Sequence, residues 1–140
     1  MDKHFLQVNG ITHVVNTADG CSFTQVNTGP HFYSDVRIKY MGLNVLDMPQ
    51  SKICIHFMEA ADFIDRAIQS GGRVLVHCLV GISRSSTIAL AYLMIKRHMP
   101  LKRALTTVRL KRHVRPNDGF LRQLIDLEQR LRPMPSPLMY

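Results

Sequence analysis

The sequence predicts an α/β fold, a central and mainly parallel sheet flanked by helices on both faces. Two observations predict it. Strand-like and helix-like segments alternate through the first part of the chain and helices cluster in the second, the order that builds a parallel sheet under a helical cover. The segment RVLVHC, Arg73 to Cys78, is a continuous apolar run of strand length, as expected for a strand covered on both sides. With 140 residues and 46% hydrophobic content, one compact core is within reach.

The elements follow in order. DKHFLQVN is expected to be the end of a helix, stopped by Gly10. GITHVVNTADG, Gly10 to Gly20, has a β-branched centre that ends in Asn, Asp and Gly: a short buried strand, then a loop. VRIKYMGLNVLD, Val36 to Asp47, begins with alternation and continues apolar, so it predicts a second strand leading into the loop DMPQS. Ser51 is placed to N-cap the next helix. There Ile53, Phe57, Ala61, Ile64 and Ile68 step along one helical face, and Gly71-Gly72 ends the segment. After the strand RVLVHC, the chain is apolar almost all round from Ile82 to about His98, which predicts a deeply packed helix. Pro100 opens a further helix to about His113. RPNDGF reads as a turn, and a last helix runs from about Gly119 to Leu131 with Phe120, Leu124, Leu127 and Leu131 on one face. PMPSPLMY after Arg132 holds three of the seven prolines and reads as a poorly ordered tail, residues 133–140 beyond a domain of 1–132.

Composition excludes several classes. No 18-residue apolar stretch predicts a membrane span, and MDKHFLQVNG has no apolar run of signal-peptide type. Cys21, Cys54 and Cys78 form no framework, so free thiols in a reducing compartment are expected. Without CxxC, and with seven scattered histidines, a zinc site is not expected. The formal charge of +8 favours an acidic partner but does not choose among phosphate esters, nucleic acid and anionic membranes.

The chemistry concentrates in HCLVGISRSS, His77 to Ser86. Cys78 stands where a buried strand ends and a buried helix is about to begin. Ligands of open α/β sheets bind at that end of the strands, and anions bind at helix N-termini. Backbone N–H groups from Leu79 to Arg84 can converge on one anion, and Gly81 admits close approach. The planar fork of Arg84 can grip two phosphate oxygens. The same positive surroundings favour a thiolate at Cys78, a nucleophile aimed at phosphorus. A lone Cys-x5-Arg would favour a small core residue and a surface charge, since both residue types are common; the strand, glycine loop, hydroxyl cluster and helix around it favour the site.

HCLVGISRSS is similar to the His-Cys-x5-Arg-Ser signature of the cysteine-dependent protein phosphatases. AYLMIKRHMPLKRALTTVRLKRHVRPNDGFLRQLIDLE resembles the helical half of the small, atypical dual-specificity phosphatases. GITHVVNTA and FYSDVRIKYMGLNVLDMP resemble their first half, so the likeness extends from about Asp2 to Leu131. The resemblance implies a cysteine-phosphatase fold, here without the family's N-terminal edge strand. It implies Cys78 as nucleophile, the Leu79–Val80–Gly81–Ile82–Ser83 backbone and Arg84 as phosphate cradle, and Ser85 as the hydroxyl that helps the sulfur leave. It further implies His77 as the residue that tunes the thiolate and Asn117 as a brace for the loop. The family's general acid is an aspartate roughly thirty residues before the cysteine; Asp47 lies 78 − 47 = 31 residues before Cys78, after an apolar strand and beside a Pro-containing loop. Asp35 precedes the strand and fits poorly, and Asp62 and Asp65 lie on a helix body. No metal or other cofactor is implied.

The loop interior carries no Lys or Arg, which favours phosphoproteins over phosphoinositides. RLKRHVR, Arg109 to Arg115, is basic, and Arg112 stands where a similar family member would bind a second phosphate, as in a doubly phosphorylated kinase. A solvated helix end explains those cations equally well. No aromatic interleaving supports nucleic acid. The expected activity is hydrolysis of phosphotyrosine and phosphoserine or phosphothreonine in proteins, in the cytoplasm and also the nucleus. A phosphoprotein-binding module without turnover is the rival reading. Oligomeric state is left open.

Overall fold

The structure is a computed structural model that describes residues 3–19, 37–78 and 83–132. Helix α1 (Lys3–Val8) is followed by strand β1 (His13–Asn16) and, beyond residue 37, by β2 (Lys39–Gly42). A 3-10 turn (Ile53–His56) runs into α2 (Phe57–Gln69), then come β3 (Val74–His77), α3 (Arg84–Lys96), α4 (Leu101–Arg109) and α5 (Asp118–Leu131). Gly10 and Gly71 close α1 and α2 with φ of +68° and +83°, backbone states that cost a side-chain-bearing residue energy.

Among the described residues the sheet has three strands in the order β2-β1-β3, all parallel. Register aligns Asn16 with Gly42 on one side and with His77 on the other. The loops after all three strands therefore leave one edge of the sheet, the edge where α/β proteins bind ligands.

The period-2 alternation sorts side chains onto two faces. Val15, with Met41, Val74 and Val76 beside it, joins the main core, built with α2, α3 and α5 around Phe57, Ile64, Ile88, Leu90, Phe120 and Leu124. Val14, Tyr40 and Leu75 face the other way and pack with Leu6 of α1 and Ile38. Helices thus cover both faces. The structure makes β1 the most buried strand, with only His13 partly exposed, whereas the residues of β3 are each only half-buried. Helix α3 has ten buried residues out of thirteen, so its all-round apolar sequence reflects packing on every side.

Four local expectations are corrected. Ser51 caps nothing through its side chain: Lys52 is the N-cap residue of the 3-10 turn, without a side-chain bond. Gln123 of α5 does that work from a distance, its Oε1 accepting the Cys54 N–H at 2.9 Å while its Nε2 donates to the Ser51 carbonyl at 2.8 Å. Ile68 is 36% exposed, and Ala60 and Ala67 take the buried stripe with Ala61 and Ile64. Helix α4 ends at Arg109 rather than near His113, because the chain turns there to bury Val114. Leu131 is 41% exposed, so the core face of α5 ends with the half-buried Leu127. The tail from residue 133, Val36, Asp35 and Cys21 lie outside the described residues.

Candidate active site

Cys78 follows β3 directly; Ser83 is the N-cap residue of α3, and Arg84 and Ser85 begin the helix. The sulfur of Cys78 lies 3.5 Å from Ser85 Oγ, so the hydroxyl of the first helical turn is within hydrogen-bonding reach of the sulfur. The positive end of α3 therefore points at the sulfur, an arrangement that favours negative charge there. Ser83 makes no side-chain cap bond. Its carbonyl instead collects Thr87 N–H at 3.0 Å, Thr87 Oγ1 at 2.7 Å and Ser86 Oγ at 3.1 Å, which fixes the helix start.

Arg84 is only 3% exposed, and its Nη1 donates to the Val45 carbonyl at 3.0 Å. A buried guanidinium requires such partners, since an unsatisfied charge in the interior costs several kcal/mol. The contact also ties the start of α3 to the chain that leads from β2 to Asp47.

Asp47 is exposed, on the loop after β2. Its Oδ1 accepts from Asn117 Nδ2 at 2.9 Å. The Asn117 N–H donates to Ser83 Oγ at 3.0 Å, and Asn117 Oδ1 accepts the Phe120 N–H at 2.9 Å as the N-cap of α5. Asn117 thus touches the end of the phosphate-loop segment and the aspartate together. The same loop rests on α5 at Gly119, where a β-carbon would collide with the Pro49 carbonyl.

His77 ends β3. Its carbonyl accepts both the N–H and the Oγ1 of Thr17, at 2.8 and 2.9 Å. Burial lowers the pKa of its imidazole from 6.5 to about 4, so the ring is neutral at physiological pH. Any influence on the sulfur must then act through dipoles or positioning and not through an imidazolium charge.

A chain that brings a strand-end cysteine, an arginine and serine of the next helix and a loop aspartate to one sheet edge invites comparison with known proteins. The model of the dual specificity phosphatase catalytic domain matches residues 1–130. The chain belongs to this family. Human dual specificity protein phosphatase 26 is 48% identical over 124 residues, which cover 88% of this chain and 57% of that protein. The chain therefore spans a little over half the length of the curated relatives it matches. The crystal structure of human DUSP28 superposes with a TM-score of 0.77 at 28% identity, covering 91% of this chain and 81% of that one. A mouse putative dual specificity phosphatase, crystallised with zinc tungstate, gives a TM-score of 0.77 at 32% identity over 91% of this chain and 76% of that one.

Within this dual-specificity phosphatase domain, Cys78, Ser83, Arg84, Ser85, Asp47 and Asn117 form one connected group. The four remaining loop positions, Leu79, Val80, Gly81 and Ile82, lie outside the described residues. Arg112 is exposed and does not bond to the group; it lines a cavity of about 70 Å³ with Ser85, Ser86, Val76, Ala89, Val108 and Val114. Asp62 is engaged elsewhere, in a 2.6 Å ion pair with Lys96. Sequence reasoning missed Thr17 and Gln123 as supports. Thr17 had a usable signal, since it follows the aligned strand end of β1; Gln123 had none, because its partners are about 70 residues away. Among the described residues no cluster of three or more His, Cys, Asp or Glu side chains is arranged to hold a metal ion. No helix among them is long and apolar enough to cross a membrane.

Proposed function

We propose that this chain hydrolyses phosphate monoesters of tyrosine and of serine or threonine in proteins, through a phosphocysteine intermediate. The observation that carries the reading is the meeting of Cys78, Arg84 and Asp47 at one sheet edge, joined through Ser85, Val45 and Asn117. The Cys78 thiolate attacks phosphorus, the bond to the ester oxygen breaks, and Asp47 gives that oxygen its proton. Water then attacks the phosphocysteine, Asp47 takes a proton from it, and the thiolate leaves with inorganic phosphate as product. Ser85 donates a hydrogen bond to the departing sulfur. Arg84 and the loop N–H groups stabilise the charge on the equatorial oxygens in both steps.

Phosphoproteins are the preferred substrate class, because the loop from Leu79 to Ser83 offers no additional cation for the further phosphates of an inositol lipid. Doubly phosphorylated segments of protein kinases are the subset that the chemistry favours: Arg112 shares a cavity with Ser85, next to the sulfur. The mouse relative crystallised with tungstate, a tetrahedral oxyanion like phosphate, agrees with an anion site in this family.

The test is turnover of an aryl phosphate in the presence of a chelator, followed by three matched substrates: a phosphotyrosine peptide, a phosphothreonine peptide and a soluble phosphoinositide. Both peptides are expected to be hydrolysed faster than the lipid headgroup. Cys78→Ser is expected to abolish all turnover, and Asp47→Asn to let the phosphocysteine be trapped by rapid acid quench. Turnover that survives Cys78→Ser removes the mechanism. Tight binding of phosphopeptide by the unaltered chain without hydrolysis favours the binding-module alternative.

A further inference from the structure

The net charge of +8 is unevenly placed. Residues 66–117 hold eleven Lys or Arg and no Asp or Glu, so this stretch carries more than the whole excess and the rest of the chain is slightly acidic. Arg84 is buried, and Lys96 pairs with Asp62. Six others stand together and exposed: Lys102, Arg103 and Arg109 on α4, and Lys111, Arg112 and Arg115 in the turn after it. Helix α4 sorts its side chains by the 3.6-residue period. Leu101 and Ala104 are buried, and Leu105 and Val108 pack beside them on the core. At about 100° per residue, Arg109, Lys102, Thr106, Leu110 and Arg103 fall on the opposite side within an arc of about 120°. The outer sides of the other long helices mix signs, with Glu59, Asp62 and Arg66 on α2 and Asp118, Arg122, Asp126 and Arg130 on α5. Mixed signs serve solubility, whereas a face of one sign directs its field at an anionic partner.

The chemistry of the face narrows the partner. Thr106 Oγ1 donates to the Lys102 carbonyl at 3.0 Å and Thr107 Oγ1 to the Arg103 carbonyl at 2.8 Å, so both hydroxyls are turned back onto the helix. What the convex face offers outward is long cations around Leu110, a side chain 82% exposed. Recognition of a particular peptide calls for a groove, a sheet edge or fixed donors and acceptors. Cations around an apolar side chain suit a diffuse layer of negative charge above an apolar interior. We propose that the outer face of α4, with the turn to Arg115, is an attachment surface for anionic lipid bilayers. Leu110 enters the headgroup layer, and the Lys and Arg side chains around it meet lipid phosphates and carboxylates.

The attachment is peripheral, since no helix among the described residues is long and apolar enough to cross a membrane. The basic strip runs on to Arg112, which shares a cavity with Ser85 beside the Cys78 sulfur. Attachment therefore leaves the reactive end of the sheet close to the bilayer surface. The inference concerns where the chain acts and stands apart from the hydrolytic reading above.

The test is sedimentation of the full chain with vesicles of phosphatidylcholine alone and of phosphatidylcholine with about 30% phosphatidylserine. Binding to the anionic vesicles is expected to be at least about tenfold the stronger, and to be lost when salt is raised from about 0.1 to about 0.5 M. The double variant Lys102→Glu, Arg103→Glu is expected to weaken it about tenfold or more, and Leu110→Ser about threefold. Lys39 and Lys52 are exposed cations away from α4. The double variant Lys39→Glu, Lys52→Glu changes the net charge equally and is expected to cost less than about threefold. All three variants are expected to keep turnover of nitrophenyl phosphate within about twofold and melting temperatures within about 2 °C, because the altered side chains are exposed. Equal binding to the two kinds of vesicle, or equal losses in the two double variants, overturns the proposal. Absence of vesicle binding, together with slower hydrolysis of a soluble phosphopeptide flanked by Asp and Glu in the α4 double variant, assigns the face to an acidic protein segment and also overturns it. Cys78→Ser is expected to leave vesicle binding unchanged, so attachment and hydrolysis fail separately.

Discussion

Gly119 and Pro49 meet without room for a methyl group: a β-carbon on Gly119 would overlap the carbonyl oxygen of Pro49. Alanine in a helix is ordinarily better than glycine by about 1 kcal/mol. Here the contact reverses the sign. Gly119→Ala is expected to destabilise the chain by about 1–3 kcal/mol, the usual cost of overpacking, and to slow phosphopeptide turnover as the acid loop is pushed off α5. Chemical denaturation checks the first effect and the phosphothreonine assay the second. A neutral or stabilising alanine would mean that the loop moves away at no cost.

The pKa of His77, lowered by burial to about 4, makes a statement about stability. The unfolded chain binds a proton at this residue near pH 6.5 and the folded chain near 4. The unfolded state therefore holds more protons between those values, and stability falls as pH drops through that window and is fully present above it. The contribution is on the order of 2 kcal/mol after allowance for partial exposure. His77→Asn is expected to flatten the stability profile between pH 6.5 and 4 in urea titrations. An unchanged slope would assign the acid sensitivity to other groups.

Arg84→Lys keeps the positive charge and removes the fork. A lysine there can meet one oxygen and cannot also reproduce the guanidinium bond to the Val45 carbonyl. Turnover on any phosphate ester is expected to fall about 10²–10³-fold, as when one donor to a developing oxyanion is lost. Steady-state kinetics with nitrophenyl phosphate provide the measurement, and a loss below tenfold would argue that charge alone suffices.

Arg112 should discriminate by substrate. Its loss is expected to weaken kcat/KM for a doubly phosphorylated peptide about tenfold, the size of one charged hydrogen bond, and to leave singly phosphorylated peptides within about twofold. Parallel losses on both would return Arg112 to the role of a solvated cation at the end of α4.

Much of this was legible in the sequence because the signals are local. The 3.6-residue face of α2, the all-round apolar α3 and the short β-branched HVVN each encode burial within a few residues. Cys78, Arg84 and Ser85 are close in sequence and stay close in space across one loop. The failures share a physical cause. Ser51 has the chemistry of a cap, yet a glutamine 72 residues later satisfies the turn. Leu131 continues the apolar step of α5, yet the core it would join ends one turn earlier; with Met94, Met99 and Arg132 it lines a cavity of about 590 Å³ away from the candidate site. Thr17 reads as part of a turn, and only the parallel register shows that it holds the carbonyl of His77. Periodicity reports which face is apolar; it carries no record of which distant group completes a hydrogen bond.

The pairing of Asp47 with Asn117 also has a consequence in time. The two residues are 70 positions apart, and the second lies near the end of the domain. The aspartate loop is therefore seated only once the last helix, which also brings Phe120 and Leu124 to the core, has packed against it.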